Sequence, residues 1–553
     1  MEQNVDRTAT MIEGIQFCFP QNKIPPKANL NMNTIGELFP LQLLTLLRLA
    51  HDKFSPRRKE LLQMRQERQK LFDQGQLPRY YIDTLKEYGH KGLPESLQET
   101  WKVAPIPQDL QRRRVEITGP VNSAKMVISM LNRNEDGARA DTAMLDFEDS
   151  MCPTFENVIN GYFNVIGAVE GNLTFDQKDK VYRLNPNDMA LPMIRCRGLH
   201  LAENHLQVEG IPMAAGLVDL FTCFFHTAMK YNQRALTPHA YIPKCEHADE
   251  AKWWNDVLNY LETGINLPLG TIKTTFLIET LPAAYQIEEI IYETRTRTVG
   301  LNVGRWDKIF SDIKVLKNHP ERVLPDRTAI TMKKPWMDAY AKRLIKICHE
   351  RGALALGGMA AFTPGKTVEL RKIQAQKVLE DKQYEAGLGH DGCWVSHHYF
   401  ISYAQEAFKQ ANPNQLQNKV SSDYDRYPDL LPKGSGPYTL KGLRTNIRVA
   451  IFYMEGWQRG DGCVALDNLM EDLATFEISR AQVFQWLHQK VELEESKISS
   501  HLVEKVFAEE LEQLVTEFGN ERRKTLTAAK EIAQRIFLLP DLADFLSVAL
   551  VSL

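Results

Sequence analysis

No stretch of about 18 consecutive apolar residues, the length a membrane helix needs, occurs in the 553-residue chain, so no membrane span is predicted. The opening Met1-Glu2-Gln3-Asn4 is polar and no apolar signal core follows it, so no secretory leader is expected. Paired cysteines are missing as well. The eight present are irregularly spaced and never form a Cys-x-x-Cys pair, which excludes a disulfide framework and a zinc knuckle and suits a reducing cytoplasm. There is no basic surplus: 67 Lys and Arg face 70 Asp and Glu, a net charge of −3, so nothing favours nucleic acid as a partner. The final Val551-Ser552-Leu553 lacks the basic middle residue of a peroxisomal address. A cytoplasmic protein without nucleic-acid or membrane partners is expected.

Several catalytic signatures are also absent. Fourteen histidines include no His-Glu-x-x-His, and the adjacent His397 and His398 would point to opposite sides of a strand. Gly365-Lys366-Thr367 resembles the end of a phosphate-binding loop, but Ala360 stands where the first glycine is required, which excludes that route to nucleotide hydrolysis. Gly434-x-Gly436 fails as a dinucleotide fingerprint because position 439 is Thr. Cys463 has no base that the sequence can place beside it and reads as a structural thiol.

What is present is the composition of a globular protein with a large core, 43% hydrophobic and 25% charged. The N-terminal part reads as helical. Ser55-Pro56 is a helix start signal, with the helix expected over Arg57 to Phe72 and its many charges on a solvated face. From Val115 onward, short β-branched and apolar runs recur, each followed by turn formers and a helical stretch. They are Val115–Thr118, Ala143–Phe147, Met193–Cys196, Ala240–Ile242, Thr274–Ile278, Val299–Val303, Ala353–Leu356 and Cys393–Ser396. Eight strands alternating with helices over about 280 residues predict a closed parallel (β/α)8 barrel of the TIM type. Turn formers dominate residues 411–442. From Cys463 to the end the only glycine is Gly519 and the only proline Pro540, so this part is expected to be all helical. The expected division is 1–110 helical, 111–410 barrel, 411–442 linker and 443–553 C-terminal helical domain.

Catalytic groups of such barrels sit at the C-terminal ends of the strands. The second strand is followed by Asp146, Glu148 and Asp149, the third by Arg195, Arg197, Gly198 and His200, the fifth by Glu279, the sixth by Gly304-Arg305-Trp306-Asp307. Carboxylates converging on one mouth suit a hard divalent cation such as Mg²⁺, with Glu279 and Asp307 at adjacent tips as the natural pair; helix capping or salt bridging is the competing use. Arg195 lies in a strand-like run and needs an anion, either in an active site or in a structural pair with the Asp146/Glu148 cluster. Backbone N–H groups of the Gly304 turn could hold a small carboxylate. Asp472 opens a helical stretch, where a carboxylate answers the helix dipole.

Taken together these segments resemble the malate synthases, specifically the shorter A-type. The matching strings, in family order, are Arg113-Arg-Val-Glu-Ile-Thr-Gly-Pro120, Asp146-Phe-Glu-Asp-Ser150, Arg195-Cys-Arg-Gly-Leu-His200, Leu277-Ile-Glu-Thr-Leu-Pro282, Gly300-Leu-Asn-Val-Gly-Arg-Trp-Asp307, Gly357-Gly-Met-Ala-Ala-Phe362, His390-Asp-Gly392 and Met470-Glu-Asp-Leu-Ala-Thr475. The resemblance implies a barrel held between an N-terminal helical clasp and a C-terminal plug. It implies acetyl-CoA and glyoxylate as substrates, with Mg²⁺ bound by Glu279 and Asp307. Arg195 matches the catalytic arginine, Asp472 the catalytic base, and the turn of Gly304, Arg305 and Trp306 the glyoxylate site. Phe362 and Pro364 are candidate acetyl-CoA neighbours by position. A monomer or small homo-oligomer is expected. The chain departs from the family pattern at Arg297, where His is usual, at Lys308, where Tyr is usual, and at His397-His398 in place of His-Pro. Arg297 and Lys308 flank the cation turn and put its fine geometry in question. The alternative is a malyl- or citryl-CoA lyase-like barrel; those enzymes are shorter and lack the C-terminal plug.

Overall fold

The computed structural model describes residues 7–12, 14–20, 32–87, 92–178, 180–494 and 496–546. The terminal Val551-Ser552-Leu553 lies outside them. All eight expected strands form: β1 Val115–Pro120, β2 Thr142–Asp146, β3 Leu191–Arg195, β4 His239–Ile242, β5 Lys273–Ile278, β6 Thr298–Val303, β7 Leu354–Ala360 and β8 Gly392–Val395. They pair in parallel in sequence order and close between β8 and β1. Both faces of such strands are buried, so each reads as an unbroken apolar run rather than an alternating one. Met144, Met193, Tyr241, Leu277, Leu356 and Trp394 fill the barrel interior.

A buried polar network shares that interior. Arg113 Nε lies 2.6 Å from Glu116 Oε1, Nη1 donates to Thr275 Oγ1 at 2.8 Å and Nη2 to Tyr241 Oη at 2.9 Å. Glu116 also accepts from Thr142 Oγ1 and from Trp394 Nε1, both at 2.9 Å. Arginine and glutamate are tolerable there because nearly every donor and acceptor is used.

The N-terminal region departs from the purely helical expectation. Strands Arg7–Ile12 and Ile15–Pro20 join Ala202–Val208 and Ile211–Ala214, an excursion after β3, in a four-stranded antiparallel sheet. The helix predicted to begin at Ser55-Pro56 instead begins far upstream: α1 spans Leu41–Asp73 with Pro56 in its interior. An interior proline costs about 3 kcal/mol. Burial of Leu43, Leu44, Leu47, Phe54 and Leu61 on one stripe of α1 outweighs it, at about 1.5–3 kcal/mol for each large side chain. The stripe packs on α2 (Ala248–Gly264), where Arg65 Nε and Nη2 reach Glu250 at 2.8 and 2.7 Å.

After β8 the chain crosses residues 411–439 without a helix or strand, held to the barrel by Arg426 on Glu288 at 2.7 Å and by buried Leu430. The barrel helix that follows β6 is α3 (Arg305–Val315). The C-terminal domain contains α4 (Leu440–Gln458), α5 (Leu473–His488), α6 (Ser500–Phe518) and α7 (Arg523–Phe537), packed around Tyr453, Phe476, Trp486, Phe507 and Phe537. Among its described residues the helices are accompanied by one hairpin, β9 (Val464–Leu466) and β10 (Leu469–Glu471), turned by Asp467 and Asn468, both at positive φ. That is the geometry of a two-residue hairpin turn. α5 is buried from Leu473 to Trp486, wedged between the other plug helices and α3, and Trp486 Nε1 donates to Leu324 O at 2.9 Å. Among the described residues, no helix is long and apolar enough to cross a membrane.

The Arg113 network yields a stability prediction. Arg113→Met leaves Glu116 charged and buried without its guanidinium, and unfolding in urea should show a loss of about 3–5 kcal/mol. A loss below about 1 kcal/mol would mean that the network is not holding the barrel.

Candidate active site

The site is built from strand ends. β2 stops at Asp146, whose carboxylate accepts from Glu148 N at 2.8 Å, Ser150 N at 3.0 Å and Ser150 Oγ at 2.5 Å. Those bonds close a tight turn that carries Glu148 and Asp149. The β2–β3 register sets Arg195 directly beside Asp146, and the guanidinium takes the carboxylate in a two-point contact at 2.6 and 2.5 Å. Its remaining edge, Nη1, lies 3.5 Å from Glu148 and 3.6 Å from Asp149. The structural pairing and the placement at the mouth are therefore both realised.

β5 and β6 are in register at Ile278 and Val303, so Glu279 and Gly304 are neighbours. A Cβ on Gly304 would fall 2.2 Å from Glu279 Cβ, so only glycine allows this approach. Gly304 caps α3, and Asp307 lies in that helix's first turn. Lys244 follows β4 in the left-handed region, φ 54°. Its N–H donates to Glu279 Oε1 at 2.7 Å. Its Nζ lies 2.7 Å from Asp149, 2.9 Å from Asp307, 3.2 Å from Glu148 and 3.8 Å from Glu279.

Asp149, Glu279 and Asp307 each offer an oxygen within 4.8 Å of the others, all buried. Asp149 Oδ1 is buried without a hydrogen-bond partner. A close, all-oxygen, anionic donor set with a spare lone pair suits a hard divalent cation. The charges strain one another. Burial and the Asp149 charge push Glu148 and Asp307 well above the usual carboxylate range. Burial also works against ionised Asp149, yet Lys244 and Arg195 hold it down at about 2. Burial opposes the Lys244 ammonium, and Asp149 and Asp307 keep it charged.

The plug closes the mouth through backbone bonds. Met470 N donates to Ala361 O at 2.8 Å, Thr363 N to Asn468 O at 2.9 Å, and Leu473 N to Asp149 O at 3.3 Å. Between them Asp472 caps α5, its Oδ1 accepting from Thr475 N at 3.3 Å and its own N–H donating to Thr475 Oγ1 at 3.0 Å. Burial and the Asp149 charge push its carboxyl up to about 7, against the pull of Arg195.

One cleft is lined by Arg195, Glu279, Gly304, Arg305, Trp306, Asp307 and Asp472 together with Asp149, Met359 and Trp394. Phe362 pairs with Leu469 across the barrel–plug joint, and neither it nor Pro364 lines the cleft. Arg297 lies at the opposite, N-terminal end of β6, buried on Glu262 at 3.0 Å and Asn255 at 2.7 Å, so it does not flank the cation turn in space. Lys308 is buried against Asp312 within α3. Two residues escaped the sequence reading as members of the cluster: Asp149 as the third carboxylate and Lys244. The strand-end rule applied to the fourth strand, which runs Ile242-Pro243-Lys244, would have pointed to Lys244.

The fold and this cleft define a barrel enzyme that works on small molecules at a carboxylate-rich mouth sealed by a helical domain. Three family models narrow the class: malate synthase N-terminal domain over residues 44–84, malate synthase TIM barrel domain over 191–431 and malate synthase C-terminal over 437–553. The chain is 42% identical to malate synthase A of Escherichia coli (strain K12) over 90% of its own length and 91% of that protein. It is 42% identical to the Myxococcus xanthus malate synthase, covering 92% and 93%, and 40% identical to that of Dictyostelium discoideum, covering 92% and 93%. The chain belongs to the malate synthase family, and it catalyses acyl-CoA condensation and hydrolysis.

The carboxylate trio predicts a thermal readout. Mg²⁺ or Mn²⁺ should raise the melting temperature, since a ligand held at a hundred times its Kd stabilises by about 2.7 kcal/mol. Glu279→Gln should remove most of that rise. An equal rise in the Gln variant would rule the trio out as the cation site.

Proposed function

We propose that the cleft joins acetyl-CoA to glyoxylate with Asp472 as base, Arg195 as the charge-stabilising group and Mg²⁺ on Asp149, Glu279 and Asp307. One observation carries the reading. Asp472 belongs to the plug, yet backbone bonds to Ala361 and Asp149 hold it over the barrel mouth beside the carboxylates and Arg195.

The cation, when bound, supplies Lewis-acid polarisation of the aldehyde. The glyoxylate carboxylate lies against backbone N–H groups at the start of α3, where Gly304, Arg305 and Trp306 leave donors free of helix bonds. Asp472 accepts a methyl proton from the acetyl thioester, and the negative charge moves to the thioester oxygen. Arg195, fixed by Asp146, faces that charge where water is excluded. The methylene carbon then bonds to the aldehyde carbon, and the aldehyde oxygen ends as the malate hydroxyl once protonated. Water adds to the thioester carbonyl, the carbon–sulfur bond breaks, and CoA leaves as the thiol. Acetyl-CoA, glyoxylate and water thus balance malate and CoA.

A raised carboxyl suits Asp472 for this work, because a base near neutrality takes a weakly acidic proton better than an ordinary carboxylate. Mg²⁺ is favoured over softer ions by the all-carboxylate set. All eight cysteines are unpaired, in keeping with a reducing cytoplasm. The divisions near residues 110, 410 and 442 follow the same reading, as does a monomer or small homo-oligomer.

Asp472→Asn should lower kcat by about 10²–10⁴-fold while acetyl-CoA still binds. The sharper check is deuterium exchange into the acetyl methyl in heavy water, measured by mass spectrometry. Exchange at the parent's rate in the Asn variant would remove Asp472 from the role.

A further inference from the structure

After α7 the chain returns to the barrel. Residues 541–546 form no helix or strand, yet Leu542, Phe545 and Leu546 are buried. The segment is tied down along its length. Asp541 lies 3.1 Å from Lys317 Nζ and Asp544 lies 2.5 Å from Lys314 Nζ. Arg480 donates to Ala543 O at 3.1 Å and to Asp544 O at 2.9 Å, and Leu546 N donates to Glu477 at 2.6 Å. So many partners along a stretch without regular structure give a fixed destination to one buried aromatic residue near its end.

That residue is Phe545. Its ring stacks on the His200 imidazole at 4.4 Å between centroids and lies 5.5 Å from the Phe310 ring. Two ammonium groups face it, Lys314 at 4.8 Å and Lys244 at 6.0 Å, both within range of attraction to a ring face. Gly198 lies against both His200 and Lys244: a Cβ there would lie 2.7 Å from the imidazole and 3.6 Å from Lys244 Cβ. The wall behind them is hydrogen-bonded to α1. Arg58 of α1 donates to Leu199 O at 2.7 Å and Leu201 O at 2.9 Å, and Arg65 donates to Lys244 O at 2.7 Å. The Phe545 ring thus stacks on the imidazole and faces the Lys244 ammonium that reaches the carboxylate cluster.

We propose that Phe545 is a positioning residue for the reaction: it holds Lys244 among Asp149, Glu148 and Asp307, so the C-terminal tail sets the charge balance of the cation site. The proposal rests on reading Asp149, Glu279 and Asp307 as that site. Lys244 neutralises the same oxygens a divalent cation would use. If the stack is loosened, the ammonium leaves the cluster more often. The carboxylates then take a cation more tightly, while the geometry that glyoxylate meets is lost.

The test uses the full chain, with Mn²⁺ binding to the cation-free protein followed by calorimetry alongside kcat and the KM for glyoxylate. Phe545→Ala should tighten Mn²⁺ about fivefold, as expected for a weakened like-charge neighbour, and lower kcat about tenfold, in the range of residues supporting a metal site. Phe545→Leu, which keeps most of the buried volume, should recover most of both. Asp544→Ala removes the ion pair to Lys314 and the hydrogen bond that the Asp544 carboxylate accepts from Phe545 N at 2.9 Å, and leaves no core cavity. It should move both quantities in the same direction by about twofold or more, and it carries the test if Phe545→Ala does not fold. Folded Phe545→Ala with Mn²⁺ affinity and kcat within twofold of the parent overturns the proposal. Folding failure of Phe545→Ala together with parent-like behaviour of Asp544→Ala overturns it as well. A parent that binds no Mn²⁺ in calorimetry overturns the cation-site reading, and the proposal with it.

Discussion

The mouth of this barrel is governed by repulsion among buried carboxylates. Glu148, Asp149, Glu279 and Asp307 all lie within 3.8 Å of one ammonium, that of Lys244. Two like charges 4 Å apart repel by about 4 kcal/mol even at an effective dielectric constant of 20. Four such groups are tolerable only with positive charge among them. Lys244 and Arg195 supply it, and Arg195 is itself committed to Asp146 by a two-point contact. The cluster is thus a store of negative charge that the protein's own cations only partly answer, which is the electrostatic ground for binding a further cation.

The other parts of the chain can be understood by how they hold that balance. α1 crosses the barrel flank, and Arg65 joins Glu250 on α2 to the carbonyl of Lys244. The third strand's turn at Leu199 to Leu201 is fixed by Arg58 of the same helix. From the opposite direction the plug reaches in with its hairpin, extending the pairing of the loop after β7 by two backbone bonds. Clasp and plug converge on one lysine and one carboxylate, so neither can shift without disturbing the charge pattern. This explains a continuous 33-residue helix across Pro56: its register matters more than the local cost of the proline.

Most of the barrel was legible in the sequence because a parallel strand buried on both faces leaves an apolar run that no surface helix imitates. The placement of charged groups at its strand tips was legible for the same reason: the residue directly after such a run lies at the barrel mouth, where Arg195 and Asp146 also form a structural pair. What escaped had weak or misleading local signals. Lys244 stands behind Pro243 and resembles a surface charge. The hairpin strands around Asp467 and Asn468 are three residues each, too short for any periodicity. Ser55-Pro56 has the local chemistry of a helix start, and only the apolar stripe on either side of it reveals one helix. The strands that extend the N-terminal sheet after β3 owe their existence to a distant partner, Ile15–Pro20, which no local pattern announces. Arg297 appeared to flank the cation turn because it is near in sequence, but a β-strand of six residues separates the two ends in space.

Asp472 shows how a structural use and a chemical use of one side chain can support each other. As the cap of α5 it is fixed in direction, with one oxygen engaged by Thr475 N at a long 3.3 Å. Helix-end donors stabilise a carboxylate and should lower its pKa. Burial and the neighbouring Asp149 act oppositely and prevail, leaving the carboxyl at about 7. A cap on an exposed helix would be a weak base in an arbitrary orientation. A cap on a helix buried between the other plug helices and the barrel is oriented by the helix and made basic by the barrel. The domain boundary is what allows both: the helix belongs to the plug, the charge that tunes it to the barrel, and the two meet where the hairpin is seated on the loop after β7.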